Sequence, residues 1–110
     1  MSAFFESEII KDALDDINKL QEDVYGKLVH FHMMTYDEQI DHVSKLTELL
    51  DKQRIMYTRL SLSDDPDAVI MKESLNKTVT MMGYPEGTDI AVLFKNMHAT
   101  IDALKEFLET

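Results

Sequence analysis

Apolar residues return every three or four positions along most of the chain, which is the spacing that places them on one face of an α-helix. The first stripe predicts a helix over residues 2–31, with charged side chains on its opposite face. After the segment HMMTYDEQ, a second stripe predicts a helix over residues 36–62. The two stripes consist of Phe5, Ile9, Ala13, Ile17, Leu20, Val24, Leu28 and Phe31, and of Ile40, Val43, Leu46, Leu50, Tyr57 and Leu60.

Two further stripes predict a shorter helix over residues 66–82 and a last helix over residues 88–109. The last stripe advances by four and three residues alternately, a heptad seam suited to antiparallel packing on another long helix. The four elements predict an all-α fold, a small bundle of three long helices and one shorter helix in antiparallel hairpins. The length fits a single helical domain over residues 1–110. The seam of the last helix is Ile90, Phe94, Met97, Ile101, Leu104 and Leu108.

Polar residues at the breaks supply helix caps. Thr35 and Glu38 stand three positions apart before the second stripe, the arrangement of a capping box. Within the first stripe, Gly26 costs about 1 kcal/mol relative to Ala, so it either ends that helix early or allows close packing. The candidate caps of the later helices are Ser63, Asp64 and Asp65, followed by Pro66, and then Thr88 or Asp89.

The opening segment MSAFFESEII reads as the start of an amphipathic helix and not as a secretory signal, since no Lys or Arg precedes Lys11. Phe5 belongs to the apolar stripe, which leaves Phe4 for a partner or a neighbouring subunit. No apolar run approaches the roughly 18 residues of a membrane helix, so we expect no membrane insertion. The absence of Cys excludes disulfides and thiolate sites and fits a reducing compartment, and we expect a cytoplasmic location.

The charge balance disfavours direct binding to nucleic acid, because 21 acidic and 11 basic residues give a net charge of −10. Acids spread along helices commonly serve solubility. The sharper alternative is an acidic decoy, a helix face that mimics nucleic acid and binds a basic protein. The candidate acidic face consists of Asp12, Asp15, Asp16, Glu22 and Asp23.

Catalytic and metal-binding patterns are missing from the sequence. The Glu-x-x-His pattern of di-iron bundles does not occur, and Glu38 and His42, one helical turn apart, are the nearest approach to it. Neither a glycine-rich phosphate loop nor a Gly-x-Ser-x-Gly nucleophile motif is present. We therefore predict a protein that is not an enzyme and has no cofactor. A ligand- or metal-binding bundle remains an alternative, through His30, His32, His42 and His98.

Methionine is unusually frequent, with eight residues in the chain. Flexible Met side chains fill irregular cores, and they also line adaptable binding surfaces. Helices this long on a short chain leave a thin core, so we also expect a homodimer. The apolar residues near the loops are the predicted partner-binding set: Phe4, Phe31, Met33, Met34, Met81, Met82 and Tyr84.

Several segments carry a resemblance to a known family. They are AFFESEI at 3–9, YGKL at 25–28, KLTELLDKQRIMYTRLSLSDD at 45–65 and MGYPEGTDIAVLFKNMHATIDALKE at 82–106. In these segments the chain resembles a small domain-of-unknown-function family of cyanobacteria and the phages that infect them. It departs from the family pattern at VHFHMMTYDEQ, which is richer in His and Met, and in SDDPDAVIMKES and PEGTD.

The resemblance implies an all-helical protein of a photosynthetic bacterium or its virus, with no catalytic residues to carry over. Together with the absence of catalytic motifs, it leads us to expect a protein–protein interaction module that binds a host protein. A cyanophage modulator of host physiology or transcription, acting in the host cytoplasm, is the most specific form of this expectation.

Overall fold

The protein is a helical bundle, as the sequence predicted. The computed structural model describes residues 3–110, which form five α-helices, four of them long, and one 3-10 turn. The elements are α1 (Ala3–Glu6), α2 (Glu8–Leu28), the 3-10 turn (Phe31–Met33), α3 (Tyr36–Leu62), α4 (Pro66–Met81) and α5 (Ile90–Glu109).

The central helix is α3, because it presents two apolar rows to different neighbours. Leu49 and Met56 lie seven residues apart, so they return to the same side of the helix and pack against α2. Leu50 and Tyr57, each one position further on, form the second row and pack against α4 and α5. The partners of the first row are Ile10, Ile17 and Val24, and those of the second row are Val79, Ile90 and Phe94.

The first predicted helix differs from the structure at both ends. It is interrupted at Ser7, whose backbone is extended (φ −62°, ψ 131°), and it ends at Leu28 before the predicted residue 31. Its predicted start at residue 2 lies outside the described residues. Within α2, Ile10 stands seven residues before Ile17 and so shares its buried face; Ile10 is 6% exposed, whereas the predicted Ile9 is 68% exposed.

The short helix α1 is held by the start of α4. The backbone N–H of Phe4 donates to Asp65 Oδ2 at 3.2 Å, and the rings of Phe4 and Phe5 pack edge to face at 5.0 Å. Both rings lie partly buried against the core between α2 and α3. The extended backbone at Ser7 therefore lets the chain turn from α2 towards α4.

The helix caps follow the polar residues at the breaks. The capping box before α3 is present, because Thr35 and Glu38 each accept from the other's backbone N–H at 3.2 Å. Asp65 caps α4 and Asp89 caps α5, each accepting from the N–H two residues on, at 3.0 and 2.9 Å. Helix α4 ends at Met81, one residue before the predicted end, and α5 begins after its cap Asp89, two residues after the predicted start.

The bundle is flat, with principal extents of 47 × 34 × 19 Å. Along the seam of α5, Ile90 and Phe94 are buried and Ile101 packs against them, whereas Met97 is 40% exposed. Many other large apolar side chains also remain exposed on this thin shape. Within residues 3–110, no helix has both the length and the apolar character that crossing a membrane requires.

Candidate functional site at the turn between α2 and α3

The segment 29–35, here called the α2–α3 turn, is flanked by exposed apolar side chains. Met33 is 73% exposed, and its apolar neighbours on the ends of the two helices are about half exposed or more. Large apolar side chains that cluster on a surface mark interaction sites, whereas single scattered ones are ordinary. We call the exposed apolar side chains on both sides of this turn the turn patch; they are Tyr25, Leu28, Val29, Met33 and Tyr36.

The turn is fixed to the first turns of α3 by two contacts on one side. The ring of Phe31 lies 5.5 Å from the ring of His42, measured between centroids and tilted by 48°. The side-chain Nε2 of Gln39 donates to the backbone carbonyl of Phe31 at 3.0 Å. The capping box of Thr35 then starts α3 immediately after the turn. The turn is therefore docked through Phe31, and Met33 is left exposed.

The residue beneath Phe31 is a buried histidine. His42 is 2% exposed, and within the described part of the chain neither of its ring nitrogens has a hydrogen-bond partner. It stands seven residues before Leu49, so it occupies the same apolar row of α3 as Leu49 and Met56. A buried polar group without a partner costs free energy, commonly about 1–3 kcal/mol. His42 is thus a weak point at the end of the α2–α3 seam.

The surroundings of His42 favour the neutral imidazole. Burial is the main cause that lowers its pKa from the ordinary 6.5, because the imidazolium loses its hydration. His42 is therefore neutral at pH 7. Among the nearby charges, Lys27 and Lys45 lower the pKa further, and Asp23 and Asp41 oppose them.

His42 also lines a cleft of about 340 Å³ next to the turn. Because the ring nitrogens are sealed from solvent, the imidazole cannot exchange protons with water in this conformation. Within residues 3–110, no three His, Asp or Glu side chains converge closely enough to hold a metal ion. The cleft therefore has acidic and basic side chains around its rim, and the His42 imidazole at its floor is inaccessible to water. The rest of its lining is Lys27, Met34, Asp37, Glu38, Asp41 and Lys45.

The residues predicted to bind a partner are divided among several places. Met33 lies in the turn patch, whereas Phe31 and Met34 beside it are partly buried. Phe4 is partly buried against the α2–α3 core. On a different connection, between α4 and α5, Met81 is 86% exposed and Met82 is more than half exposed. Tyr84 follows them but packs against the second core, and its hydroxyl accepts from Asn96 Nδ2 at 3.1 Å.

The predicted acidic face is interleaved with lysines. Asp12 and Glu22 are exposed, but the other three acids form ion pairs with neighbouring ammonium groups. These pairs reduce the negative potential that a nucleic-acid mimic needs. The pairs are Asp15 with Lys19 at 2.9 Å, Asp16 with Lys52, and Asp23 with Lys27 at 3.1 Å and Lys45 at 3.4 Å.

Sequence reasoning missed most of the turn patch and the role of His42. Leu28 was assigned to the buried stripe, because the helix was expected to continue to residue 31. The density of apolar residues in YGKLVHFHMM, beyond a helix that ends soon after Gly26, is the signal that points to the patch. The signal for His42 is its heptad spacing from Leu49 and Met56.

Comparison with known families gives one result for this chain. A family model described as "Domain of unknown function (DUF1825)" matches residues 2–108. Searches of curated proteins and of solved structures found no significant match.

Proposed function

The chain belongs to the DUF1825 family of unknown function, and from its structure we propose that it is a non-enzymatic protein–protein interaction module. The observation that supports this proposal is the exposure of the turn patch. The proposed partner is a protein with an apolar contact surface surrounded by basic side chains. In the cyanobacterial or cyanophage setting that the sequence resemblance implies, it is a host protein whose activity this chain modulates.

The composition of the turn patch suits a contact surface. Two of its members, Tyr25 and Tyr36, are tyrosines, a residue type enriched among the side chains that dominate binding energy. Met33 adds a flexible side chain that adapts to the shape of a partner. Because the patch flanks a short turn between two long helices, its members lie on one helical hairpin.

The charges next to the patch determine which partner it fits. Asp37 and Glu38 are exposed on the first turn of α3, whereas Asp41 pairs with Lys45, and the whole chain carries a net charge of −10. A basic rim on the partner would complement these carboxylates and speed association. A second copy of the chain is less suitable here, because an isologous contact would place the same acidic residues against each other.

The test compares two double variants that remove similar apolar surface from different places. Val29→Ser with Met33→Ser alters the turn patch, and Leu62→Ser with Ile70→Ser removes similarly exposed side chains outside every predicted contact set. Each protein is used for affinity capture from a cyanobacterial lysate, and the dissociation constant of the captured protein is then measured. Loss of two anchoring side chains typically weakens binding about tenfold or more, which we expect only for the turn-patch variant.

Equal affinity of both variants and the unchanged protein would contradict the proposal. Washing at low and high salt separates it from the acidic-decoy alternative, since long-range electrostatic contacts weaken with ionic strength whereas apolar contacts persist. Thermal melting of each variant serves as the control for folding. Because all four substituted side chains are mostly exposed, melting temperatures close to that of the unchanged protein are expected.

A further inference from the structure

The docked turn rests on an ionisable group that has no polar contact. Phe31 covers His42, and the two ring nitrogens of His42 have no hydrogen-bond partner among the described residues. The next two members of the same apolar row of α3 are Leu49 and Met56, whose side chains do not ionise. The geometry thus places a titratable side chain where the bundle otherwise uses apolar ones.

Protonation of His42 changes the hydrogen-bond partners that its ring needs. A neutral imidazole has one donor and one acceptor, whereas the imidazolium has two donors and a positive charge, and it needs acceptors or water. The closest carboxylates already contact ammonium groups: Asp23 pairs with Lys27 and Lys45, and Asp41 pairs with Lys45.

The turn supplies no compensating charge either. Residues 29–35 contain no Asp or Glu, and the titratable groups there are two exposed histidines. A protonated His42 therefore gains most by reaching water. The charged and titratable groups around it are Asp23 and Lys27 from α2, Asp37, Glu38, Asp41 and Lys45 from α3, and His30 and His32 from the turn.

Displacement of Phe31, whose ring packs on His42, would open the imidazole to water. The ring of Phe31 is only partly buried, and the other contact named above between the turn and α3 is the single hydrogen bond from Gln39. On the preceding side, α2 ends at Leu28, shortly after Gly26, around which an added Cβ would meet nothing within 4 Å. By contrast, the start of α3 is held by the capping box. Residues 29–34 can therefore move while Thr35 and α3 stay in place.

We propose that protonation of His42 releases the α2–α3 turn from α3, so that mildly acidic conditions rearrange the turn patch. This inference rests on the proposed function for its biological consequence, since the turn patch is the proposed contact surface. The release itself is a property of the isolated chain and is measured without a partner.

The experiment is hydrogen–deuterium exchange of the isolated protein between about pH 7.5 and about pH 5.5, on either side of the ordinary histidine pKa. Rates are corrected for the intrinsic effect of pH on exchange. In the unchanged protein, the opening equilibrium of amides in 29–34 should increase by up to about tenfold per pH unit below 6.5, because the released state binds the proton more tightly. Amides in the middle of α3 should not follow this increase.

Two variants identify the responsible group. His42→Leu, which continues the row of Leu49, should abolish the increase. His30→Gln with His32→Gln removes the exposed histidines of the turn and should retain it. An equal increase in His42→Leu, or none in the unchanged protein, would overturn the proposal.

A second measurement covers the case in which His42→Leu does not fold. The ring resonances of His42 in the unchanged protein are followed by NMR over the same pH range, together with the backbone amides of the turn. Titration of the ring should coincide with the change in the turn, and a ring that titrates without such a change would overturn the proposal. A turn that opens although turn-patch variants bind the partner normally would refute the proposed function and leave the release intact.

Discussion

At the scale of single residues, polar side chains from three helices meet at the start of α5. The hydroxyl of Tyr57 on α3 donates to Asp89 Oδ1 at 3.2 Å, and the same oxygen accepts from the N–H of Ala91 at 2.9 Å. From α4, Asn76 Oδ1 accepts from the N–H of Ile90 at 3.4 Å. The first N–H groups of a helix lack partners within it, so these contacts fix α5 against α3 and α4.

Removal of the Tyr57 hydroxyl should therefore be measurable. We expect Tyr57→Phe to lower the free energy of unfolding by about 1 kcal/mol, the usual net value of one hydrogen bond, while the ring keeps its packing on Phe94. Urea unfolding at neutral pH checks this value. Asn96→Ala, which removes the exposed donor to Tyr84, is the matched control and should cost less.

The same residue makes stability depend on alkaline pH. Burial raises the pKa of Tyr57 above the ordinary 10.0, and the neighbouring Asp89 carboxylate acts in the same direction. Because the folded state holds this proton more tightly than the unfolded state, its contribution is complete below pH 10 and is lost as the pH rises further. Tyr57→Phe should lack this loss, and parallel alkaline profiles of the two proteins would contradict the assignment.

At the scale of helices, α3 shows how one sequence can serve two neighbours. The predicted stripe of this helix included Leu50 and Tyr57, which face α4 and α5, but omitted Leu49 and Met56, which face α2. A single stripe is typical of a helix that is covered on one side. The adjacent pairs at 49–50 and 56–57 are the pattern of a helix that is covered on two sides.

Substitution of glycine by alanine should change the stability of the protein in opposite directions at Gly26 and Gly83. Gly26 lies inside α2 and has open space where the methyl group of an alanine would lie, whereas Gly83 follows α4 with φ of 102°. Gly26→Ala should stabilise the protein by about 0.5–1 kcal/mol through helix propensity. Gly83→Ala should destabilise it by about 1 kcal/mol or more, because residues with a Cβ disfavour positive φ.

Chemical denaturation of both variants at one pH provides the measurement. The two substitutions add the same methyl group, so any difference reflects the backbone at each site. Destabilisation by Gly26→Ala would indicate that the turn next to α2 needs the flexibility of glycine. In that case Gly26 would belong to the mechanism by which the turn opens.

At the scale of the whole molecule, the flat shape leaves large apolar side chains uncovered. The smallest extent is 19 Å, and Phe107 near the end of α5 is mostly exposed. The net charge of −10 opposes association through the acidic faces, although lysines offset it locally on α2 and α3. An apolar contact through α5 is therefore the arrangement that we expect for the predicted homodimer.

This prediction is tested by the solution mass and by the dependence of the melting temperature on concentration. A dimer should have twice the mass of one chain and should melt at higher temperature when concentrated, since association stabilises the folded state by mass action. Phe107→Ser should shift the equilibrium towards single chains, and Leu62→Ser is the control at an equally exposed site. A single-chain mass at all concentrations would refute the dimer.

The sequence by itself determined the kind and number of the long helices and several of their ends. The spacing of Ile90, Phe94 and Ile101 depends only on the helical repeat, so it identified the face of α5 that is buried. The capping box of Thr35 and Glu38 is equally local, because both partners lie within one turn. Such features can be predicted from the sequence because the interactions that produce them join residues only a few positions apart.

Only the tertiary structure decided which apolar residues are covered. The break at Ser7 lets Phe4 and Phe5 pack partly buried against the α2–α3 core, because α1 turns to meet Asp65, which is sixty-one positions from Phe4 in the chain. His42 is buried because α2 and Phe31 cover it, and the turn patch is exposed because α2 ends at Leu28. Periodicity records which residues share a helix face, whereas the cover on that face comes from elements that are distant in the chain.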